Sequence, residues 1–221
     1  CAELPEHLFL LYVLPPRINT EELRSCRHFF YESLWPRVCG KSLQEAVLEV
    51  NRWCAEQATY RSTDDRTAAP LSVYQCGYGR CGEESAFLTA ALRSVGIAAR
   101  QVYAPWWSHC DDNHAWVEAY DGTRWRFLGA CEPEPVLDLG WFVHAASRAM
   151  TEQVRAFVPG TKEELAFLFP DSSPEDLLVG EGMVTELVTS RYAVTEQHCV
   201  RVLGEDGKPA ASARVCFEVL N

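Results

Sequence analysis

The sequence lacks any long hydrophobic run, and none of its apolar stretches approaches the roughly 20 residues that a membrane-spanning helix needs. It also lacks an excess of positive charge, because 31 acidic residues outnumber 20 basic ones and leave a formal net charge of -11. Such a chain repels phosphate backbones and anionic lipid surfaces. We therefore expect no nucleic-acid partner and no membrane partner, and no motif indicates a cofactor.

A disulfide framework is missing as well. The ten cysteines are scattered along the chain, and their share is below the about 8–10% that is typical of disulfide-rich scaffolds. Several of them stand among apolar residues, where cysteine packs as a small core side chain. The pattern favours a reducing compartment and leans towards the cytoplasm, although the even count permits disulfides.

Targeting signals are also absent. The chain starts at Cys1, and neither the charged region nor the apolar region of a signal peptide follows. The last residues read as part of a strand. We expect both ends to be cut from a longer protein, so the missing signal says nothing about where that protein resides.

The order of the apolar patterns predicts an α+β fold. Helical spacing begins at Thr20 and runs to Leu34, before Pro36, which should stop the helix. A second helix opens with a capping box at 42–45, and a third covers 82–95, with Gly96 as its cap. Alternating apolar and polar residues then predict antiparallel strands over 97–104, 115–120 and 124–128.

Cys81 and His114 are the residues most suited to chemistry. Cys81 stands directly before a predicted helix, where unpaired N–H groups and the helix dipole can lower a thiol pKa from about 8.5 to roughly 3.5–7.5. His114 starts a predicted strand, from which an imidazole can take the thiol proton and later protonate a leaving group. A third group, expected near the end of the strand at 124–132, should orient the imidazole.

A zinc site is an alternative for the same segment. Cys76 and Cys81, with His109, Cys110 and His114, would offer metal ligands. The two cysteines lack the close C-x2-C spacing of most structural zinc sites, so we expect no metal there.

Three aromatic residues are candidates for a substrate cleft. Tyr78 lies close to Cys81 in the sequence, and Trp106 and Trp107 precede His114. Aromatic side chains are common in binding clefts, although packing in the core is the alternative for the tryptophans.

Three ordered segments resemble the transglutaminase-like superfamily of papain-related thiol enzymes. They are 79–85, which resembles the family's Cys box, 91–100, and 114–120 with Trp125, which resembles its His box. The resemblance covers roughly residues 71–133. It implies a papain-like core with N-terminal helices, a buried Cys helix, and an antiparallel sheet that carries the His and an acid. It also implies that Cys81 is the nucleophile and His114 its base.

The acid is where the sequence departs from the family. Gly129 stands where the family usually has Asp, and Glu132 follows three residues later. A bulge at Gly129 would turn Glu132 towards the site, so we predict that Glu132 orients His114. A backbone carbonyl, a side-chain amide or no group at all are the alternatives.

The resemblance implies acyl transfer from an amide through a Cys81 thioester. We expect hydrolysis, as in a peptidase or amidase acting on a protein or peptide, because nothing in the sequence indicates the closed acceptor tunnel that transamidation requires. A deamidase or de-N-glycosylating amidase is open on the same scaffold. The alternative from another class is a non-catalytic protein-binding module that keeps the fold. No pattern predicts the oligomeric state.

Composition suggests a division of the chain into three parts. We predict a catalytic domain over 1–160, an acidic linker over 161–182 that is rich in turn residues, and β-strands of a truncated second module over 183–221. The last part resembles the opening strands of an immunoglobulin-like or carboxypeptidase-regulatory-like sandwich. Such modules bind or space other domains.

Overall fold

Helices dominate the first part of the chain and strands the rest. The structure, a computed structural model, describes residues 4–63, 66–196 and 198–215. The helices are α1 (Glu6–Tyr12), α2 (Arg27–Val38), α3 (Leu43–Gln57), α4 (Pro70–Cys76), α5 (Cys81–Ser94), α6 (Val143–Ala146) and α7 (Lys162–Leu165). The strands are β1 (Thr59–Tyr60), β2 (Tyr78–Gly79), β3 (Ala99–Ala104), β4 (His114–Tyr120), β5 (Trp125–Leu128), β6 (Gln153–Ala156), β7 (Leu177–Gly180) and β8 (Met183–Leu187). The predicted α+β class is confirmed.

Helix α5 forms the centre of the fold. Every residue from Gly82 to Ser94 is buried, because α2, α3 and α4 pack on one side of the helix and β3 and β4 on the other. The helix ends as predicted, with Gly96 in the left-handed region at φ 82°. The capping box at Ser42 and Glu45 is also formed, and it starts α3 where the sequence predicted.

Helix α2 departs from the prediction at both ends. It starts at Arg27 rather than Thr20, because the carboxylate of Glu21 accepts the backbone N–H groups of Ile18 and Asn19, both at 2.7 Å, and folds this segment into a turn. Pro36 lies inside the helix instead of stopping it. It stands in the last turn, where a missing N–H removes only one hydrogen bond near the helix end.

The main sheet is antiparallel and has the strand order β5-β4-β3-β6-β8-β7. Its two faces are both covered. One face packs against α5 in a cluster that includes Val117 and Ala119. The other face packs against α1 and the 142–168 region in a cluster that includes Val102 and Trp116. Strands covered on both faces are rich in apolar residues, and this agrees with the composition of β3 and β4.

The sheet extends further along the chain than the predicted catalytic domain. Strand β8, which the sequence assigned to a second module, pairs with β6 from Gln153↔Leu187 to Ala156↔Val184. Strand β7, from the predicted linker, pairs with β8. Both segments therefore belong to the main sheet. A separate module beyond Tyr192 stays a prediction, because the described part of 193–215 contains one isolated bridge, Leu203↔Pro209, and residues 216–221 lie outside the described residues.

A buried ionic network fastens β8 to the sheet. Arg100 on β3 contacts Glu118 at 2.7 Å and Glu186 at 2.8 Å. Arg191, just after β8, contacts the same two carboxylates at 3.3 and 3.1 Å. The Arg100 guanidinium also lies 4.0 Å from the centroid of the Trp125 ring. Removal of one partner from such a network leaves an uncompensated buried charge.

None of the helices in the described residues is both long and apolar enough to cross a membrane.

Glu152, at the entry to β6, is a buried acid without a counter-charge. It is fully buried, and neither carboxylate oxygen has a hydrogen-bond partner among the described residues. Burial raises its pKa to about 8, and Thr189 offsets this only in part. The folded protein therefore keeps this proton across a pH range in which an unfolded chain, with a Glu pKa of about 4.3, has released it.

We expect Glu152→Gln to stabilise the protein at alkaline pH. Between about pH 4.3 and about pH 8 the unfolded chain binds fewer protons at this residue than the folded one. The free energy of unfolding of the parent protein therefore falls as pH rises through this range. The variant escapes this loss. Thermal unfolding should show close melting temperatures at about pH 5 and an advantage for the variant of at least about 2–4 °C, or about 1 kcal/mol, at about pH 8.5, because each pH unit between about 4.3 and about 8 costs the parent protein up to about 1.4 kcal/mol. An advantage that is the same at both pH values would contradict a titrating Glu152.

Candidate active site

The start of α5 places Cys81 at the edge of a cavity. Cys81 is the first residue of the helix, and Glu83 secures the entry to it: its carboxylate accepts the backbone N–H of Arg80 at 3.0 Å and that of Ala68 at 2.8 Å. The hydroxyl of Thr63 donates to the same carboxylate at 2.9 Å. The N–H groups of Glu83 and Glu84 donate to the carbonyl of Arg80 at 2.8 and 2.9 Å. The N–H groups of Cys81 and Gly82 precede them, and no carbonyl inside the helix can accept these two.

His114 begins β4 and lies among aromatic rings. It pairs with Ala104 at the end of β3, and its side chain is buried. The centroid of its ring lies 4.7 Å from that of Trp141 and 5.2 Å from that of Phe142. Trp116, two residues further along the strand, is 5.9 Å away by the same measure. These rings pack around the imidazole at the strand end, and the His114 residue is 8% exposed.

A cavity of about 750 Å³ brings the predicted residues together. Cys81, His114 and Glu132 all line it, so the helix start, the strand start and the segment after β5 meet at one cavity. Glu84 and Asp112 line it too. The structure thus adds two acids that the sequence analysis did not assign to the catalytic site.

The protonation states of Cys81 and His114 differ from the thiolate that the sequence analysis expected. Burial raises the pKa of the Cys81 thiol, and the backbone amides of Ala115 and Gly82 together with Arg80 offset this only in part. Burial lowers the pKa of His114 to about 4, although the nearby charge of Asp112 acts in the other direction. At neutral pH the resting site therefore holds a thiol and a neutral imidazole. A helix start alone does not outweigh this desolvation.

His114 lacks a fixed acceptor for its second nitrogen. Its Nε2 is buried and has no hydrogen-bond partner among the residues that the structure describes. Direct contact between the Cys81 sulfur and a ring nitrogen of His114 stays a prediction.

Glu132 occupies the space that a side chain at position 129 would fill. A Cβ built on Gly129 would collide with Glu132 Oε2, so the Glu132 carboxylate takes the place in which the family's Asp would start. The carboxylate oxygens accept the indole N–H of Trp141 at 3.0 and 3.1 Å rather than a proton of His114. The predicted hydrogen bond from His114 to Glu132 is therefore absent, and the Trp141 indole, which packs on His114, binds the carboxylate instead.

The turn that carries Glu132 depends on Asn51 of α3. Asn51 is 1% exposed. Its Nδ2 donates to the carbonyls of Gly129 at 2.9 Å and Glu132 at 3.2 Å, while its Oδ1 accepts the N–H of Cys131 at 2.9 Å. Cys131 has a φ of 58°. The left-handed residue of this turn is therefore Cys131, whereas the bulge hypothesis placed the unusual backbone conformation at Gly129. The sequence shows only one sign of this contact, which is that Asn51 places an amide on the apolar side of a predicted helix.

The aromatic residues predicted for the cleft lie elsewhere. Trp107 is buried against Trp116 and His114, with ring centroids 6.5 and 6.1 Å apart. Trp106 is exposed but does not line the cavity, and Tyr78 lies under the guanidinium of Arg61 and lines a different pocket. The aromatic walls of the cavity are instead Tyr60, Tyr103 and Trp141.

The alternative zinc ligands are not gathered in the structure. Cys76 is exposed, and its thiol faces the carbonyl oxygens of Val73 and Tyr78 at 3.6 and 3.3 Å. Within residues 4–63, 66–196 and 198–215, no three His, Cys, Asp or Glu side chains are grouped so that they could hold a metal ion. The cysteines that the structure describes are all free thiols. The absence of a metal from the protein stays a prediction.

Comparison with known protein families places the site in a recognised context. Residues 37–130 match the transglutaminase-like superfamily. The matched segment runs from the end of α2 to just past β5 and contains both Cys81 and His114. It supports this superfamily for the segment, which is less than half of the chain.

A curated relative and two solved structures resemble the chain. A peptide-N(4)-(N-acetyl-beta-glucosaminyl)asparagine amidase of Eremothecium gossypii is 30% identical over 111 residues, which cover 42% of this chain and 30% of that protein. A candidate cysteine protease from Cytophaga hutchinsonii shares 17% identity over 73% of this chain and 58% of its own, with a TM-score of 0.39. Legionella pneumophila LapG shares 17% identity over 57% of this chain and 73% of its own, with a TM-score of 0.42.

We expect the alkylation of Cys81 to lack a plateau at mildly acidic pH. Because burial keeps the thiol protonated and the imidazole neutral, the rate with iodoacetamide should keep rising with pH into the alkaline range. Mass spectrometry of the Cys81 peptide gives the rate, and the Cys81→Ala variant identifies the peptide. A high, pH-independent rate between about pH 5 and about pH 7 would instead indicate a resting thiolate–imidazolium pair.

Proposed function

We propose that the protein is a thiol enzyme that transfers the acyl group of an amide through a Cys81 thioester, with water as the acceptor. The observation that carries the proposal is the convergence of Cys81 and His114 on one cavity, each at the end of a buried element. The amidase relative and the superfamily match support a hydrolytic reaction of this type. Proteins or peptides are the proposed substrates.

The proposed reaction starts from a neutral pair. As the Cys81 sulfur attacks the amide carbonyl, His114 takes the thiol proton, and the charge on the oxygen develops towards the N–H groups at the start of α5. The imidazolium then protonates the leaving amine, and a thioester remains. Water, deprotonated by His114, attacks the thioester, releases the acid and restores the thiol.

We propose Glu132 as the acid that stabilises the imidazolium. Its carboxylate stands in front of Gly129 and contacts Trp141, whose ring packs on His114. Glu132 and His114 line the same cavity, and a negative charge there favours the charged form of the imidazole that appears during the reaction. The missing direct hydrogen bond means that this support is electrostatic unless Trp141 moves.

One observation favours a second candidate, a non-catalytic protein-binding module. The unpartnered Nε2 of His114 and the raised pKa of Cys81 describe a site without a preformed ion pair. A protein that had kept the fold but lost its reaction would show the same features.

Hydrolysis assays with matched variants separate the two candidates. We expect release of fragments from labelled casein, or of the glycan from an N-glycosylated peptide, and a loss of more than about a thousandfold in Cys81→Ala and in His114→Ala. Cys76→Ala is the control, because it removes a nearby exposed thiol that does not line the cavity. Equal rates in all of these variants, or no turnover of either probe by the parent protein, would favour the binding module.

The role of Glu132 is tested by comparing two substitutions. Glu132→Gln should lower kcat by about ten- to a hundredfold, because the imidazolium loses its nearby negative charge. Trp141→Phe keeps a ring against His114 but removes the N–H that binds Glu132, so kcat should be kept or raised. If the tryptophan variant loses as much kcat as the glutamine variant, or if the glutamine variant loses none, Glu132 does not have this role.

A further inference from the structure

Glu84 is a buried acid in the candidate site that the proposed reaction does not use. It follows Cys81 by three residues on α5, so both side chains lie on the same side of the helix. Its residue is only 4% exposed, yet it lines the cavity together with Glu132. The two carboxyls thus face the same space beside the nucleophile.

The Glu84 carboxyl has no partner of its own. Among the described residues it makes neither a hydrogen bond nor an ion pair. Glu83, its neighbour in the sequence, is instead fully engaged by Thr63, Ala68 and Arg80. Buried acids in proteins are normally paired or hydrogen-bonded, because an unpaired one pays the full cost of desolvation.

Burial and neighbouring acids together keep a proton on Glu84. Burial is the larger cause, and Glu132 and Glu83 add to it, so that the pKa of Glu84 rises to about 8. The other titratable groups that line the space are Cys81, His114, Asp112, Arg80, Tyr60 and Tyr103. Arg80 directs its Nη2 to the carbonyl of Arg66 at 2.8 Å and to the Thr67 hydroxyl at 3.3 Å.

We propose that Glu84 and Glu132 form a subsite for a cationic group of the substrate, an ammonium or guanidinium, next to the amide that Cys81 attacks. The inference rests on the proposed function, since it names the chemistry of the substrate at the same site. A cation in this position supplies the partner that Glu84 lacks, and Glu84 releases its proton to solvent as the cation binds. Two carboxylates also exclude acidic side chains from the same position.

The charge preference of Cys81 towards small thiol reagents tests the subsite without any need for turnover. Aminoethyl methanethiosulfonate is cationic and sulfonatoethyl methanethiosulfonate is anionic. In both reactions the thiolate attacks sulfur, a mixed disulfide forms and a sulfinate leaves. The thiolate fraction of Cys81 is the same in both reactions, so it cancels in the ratio of their rates. Mass spectrometry of the modified peptides gives the ratio at Cys81 and, as an internal reference, at the exposed Cys76.

We expect the ratio of the cationic to the anionic rate at Cys81 to exceed the same ratio at Cys76 by about tenfold or more. Glu84→Gln should reduce this excess several-fold, and Asp111→Asn, which removes an exposed charge outside the cavity lining, should leave it unchanged. The excess should also grow as pH rises through about 8, because Glu84 then ionises. Melting temperatures of the variants confirm that each is folded.

Two results would overturn the subsite: equal preferences at Cys81 and Cys76, or an excess that Glu84→Gln does not reduce. Failure of the proposed function has a different signature, in which the charge preference is present but neither casein nor the glycopeptide is hydrolysed. If they are hydrolysed, a pair of peptides that differ only by arginine or citrulline beside the scissile amide should show a lower KM for arginine, and Glu84→Gln should remove that advantage.

Discussion

The burial of α5 on all sides is the constraint from which the site follows. A helix covered by three helices and two strands cannot shift along its axis or rotate without disrupting the core. Its first residue is therefore held at one point, and the ends of β3 and β4 are held opposite that point. The cavity lies where the start of α5 meets the adjoining ends of β3 and β4, and Cys81, Tyr103 and His114 line it. Catalytic geometry of this kind requires rigid supports, and here the core supplies them.

The same packing determines the electrostatics of the site. Burial of Cys81 and of His114 favours their neutral forms, so in the proposed reaction proton transfer waits for the substrate. Glu84 is neutral at rest for the same reason, because burial keeps a proton on its carboxyl. A cation that enters the cavity would favour the ionised form of Glu84.

Much of this arrangement could be predicted from the sequence, because it depends on local patterns. The capping box at Ser42, the cap at Gly96 and the alternation in β3 and β4 each express a short-range preference that the tertiary structure retains. The convergence of Cys81, His114 and Glu132 also followed from their positions at element ends. The class of fold needed no more than the order of these elements.

What could not be predicted depends on contacts between distant residues. The start of α2 was missed because Glu21 binds the preceding backbone, and Pro36 was tolerated because of its place in the last turn. Asn51 holds the turn after β5 across 78 to 81 residues of sequence, and its place on the apolar side of a helix does not indicate which distant backbone it binds. The pairing of β8 with β6 is likewise long-range, and the turn-rich composition of the intervening segment concealed it.

The ionic network around Arg100 has a consequence for where this unit ends. Its two carboxylates come from β4 and β8, and Tyr192 donates to Glu118 at 2.7 Å while accepting from the indole of Trp116. Trp116 in turn packs on His114, so the residues around 186–192 support the base from behind. The segment that matches the superfamily stops at 130, before Glu132, Trp141 and this support. A chain shortened to that segment would retain Cys81 and His114 but would lose both Glu132 and the residues that pack behind His114. The segment that supports Cys81 and His114 therefore extends to the ionic network in the sheet, beyond the recognisable motifs.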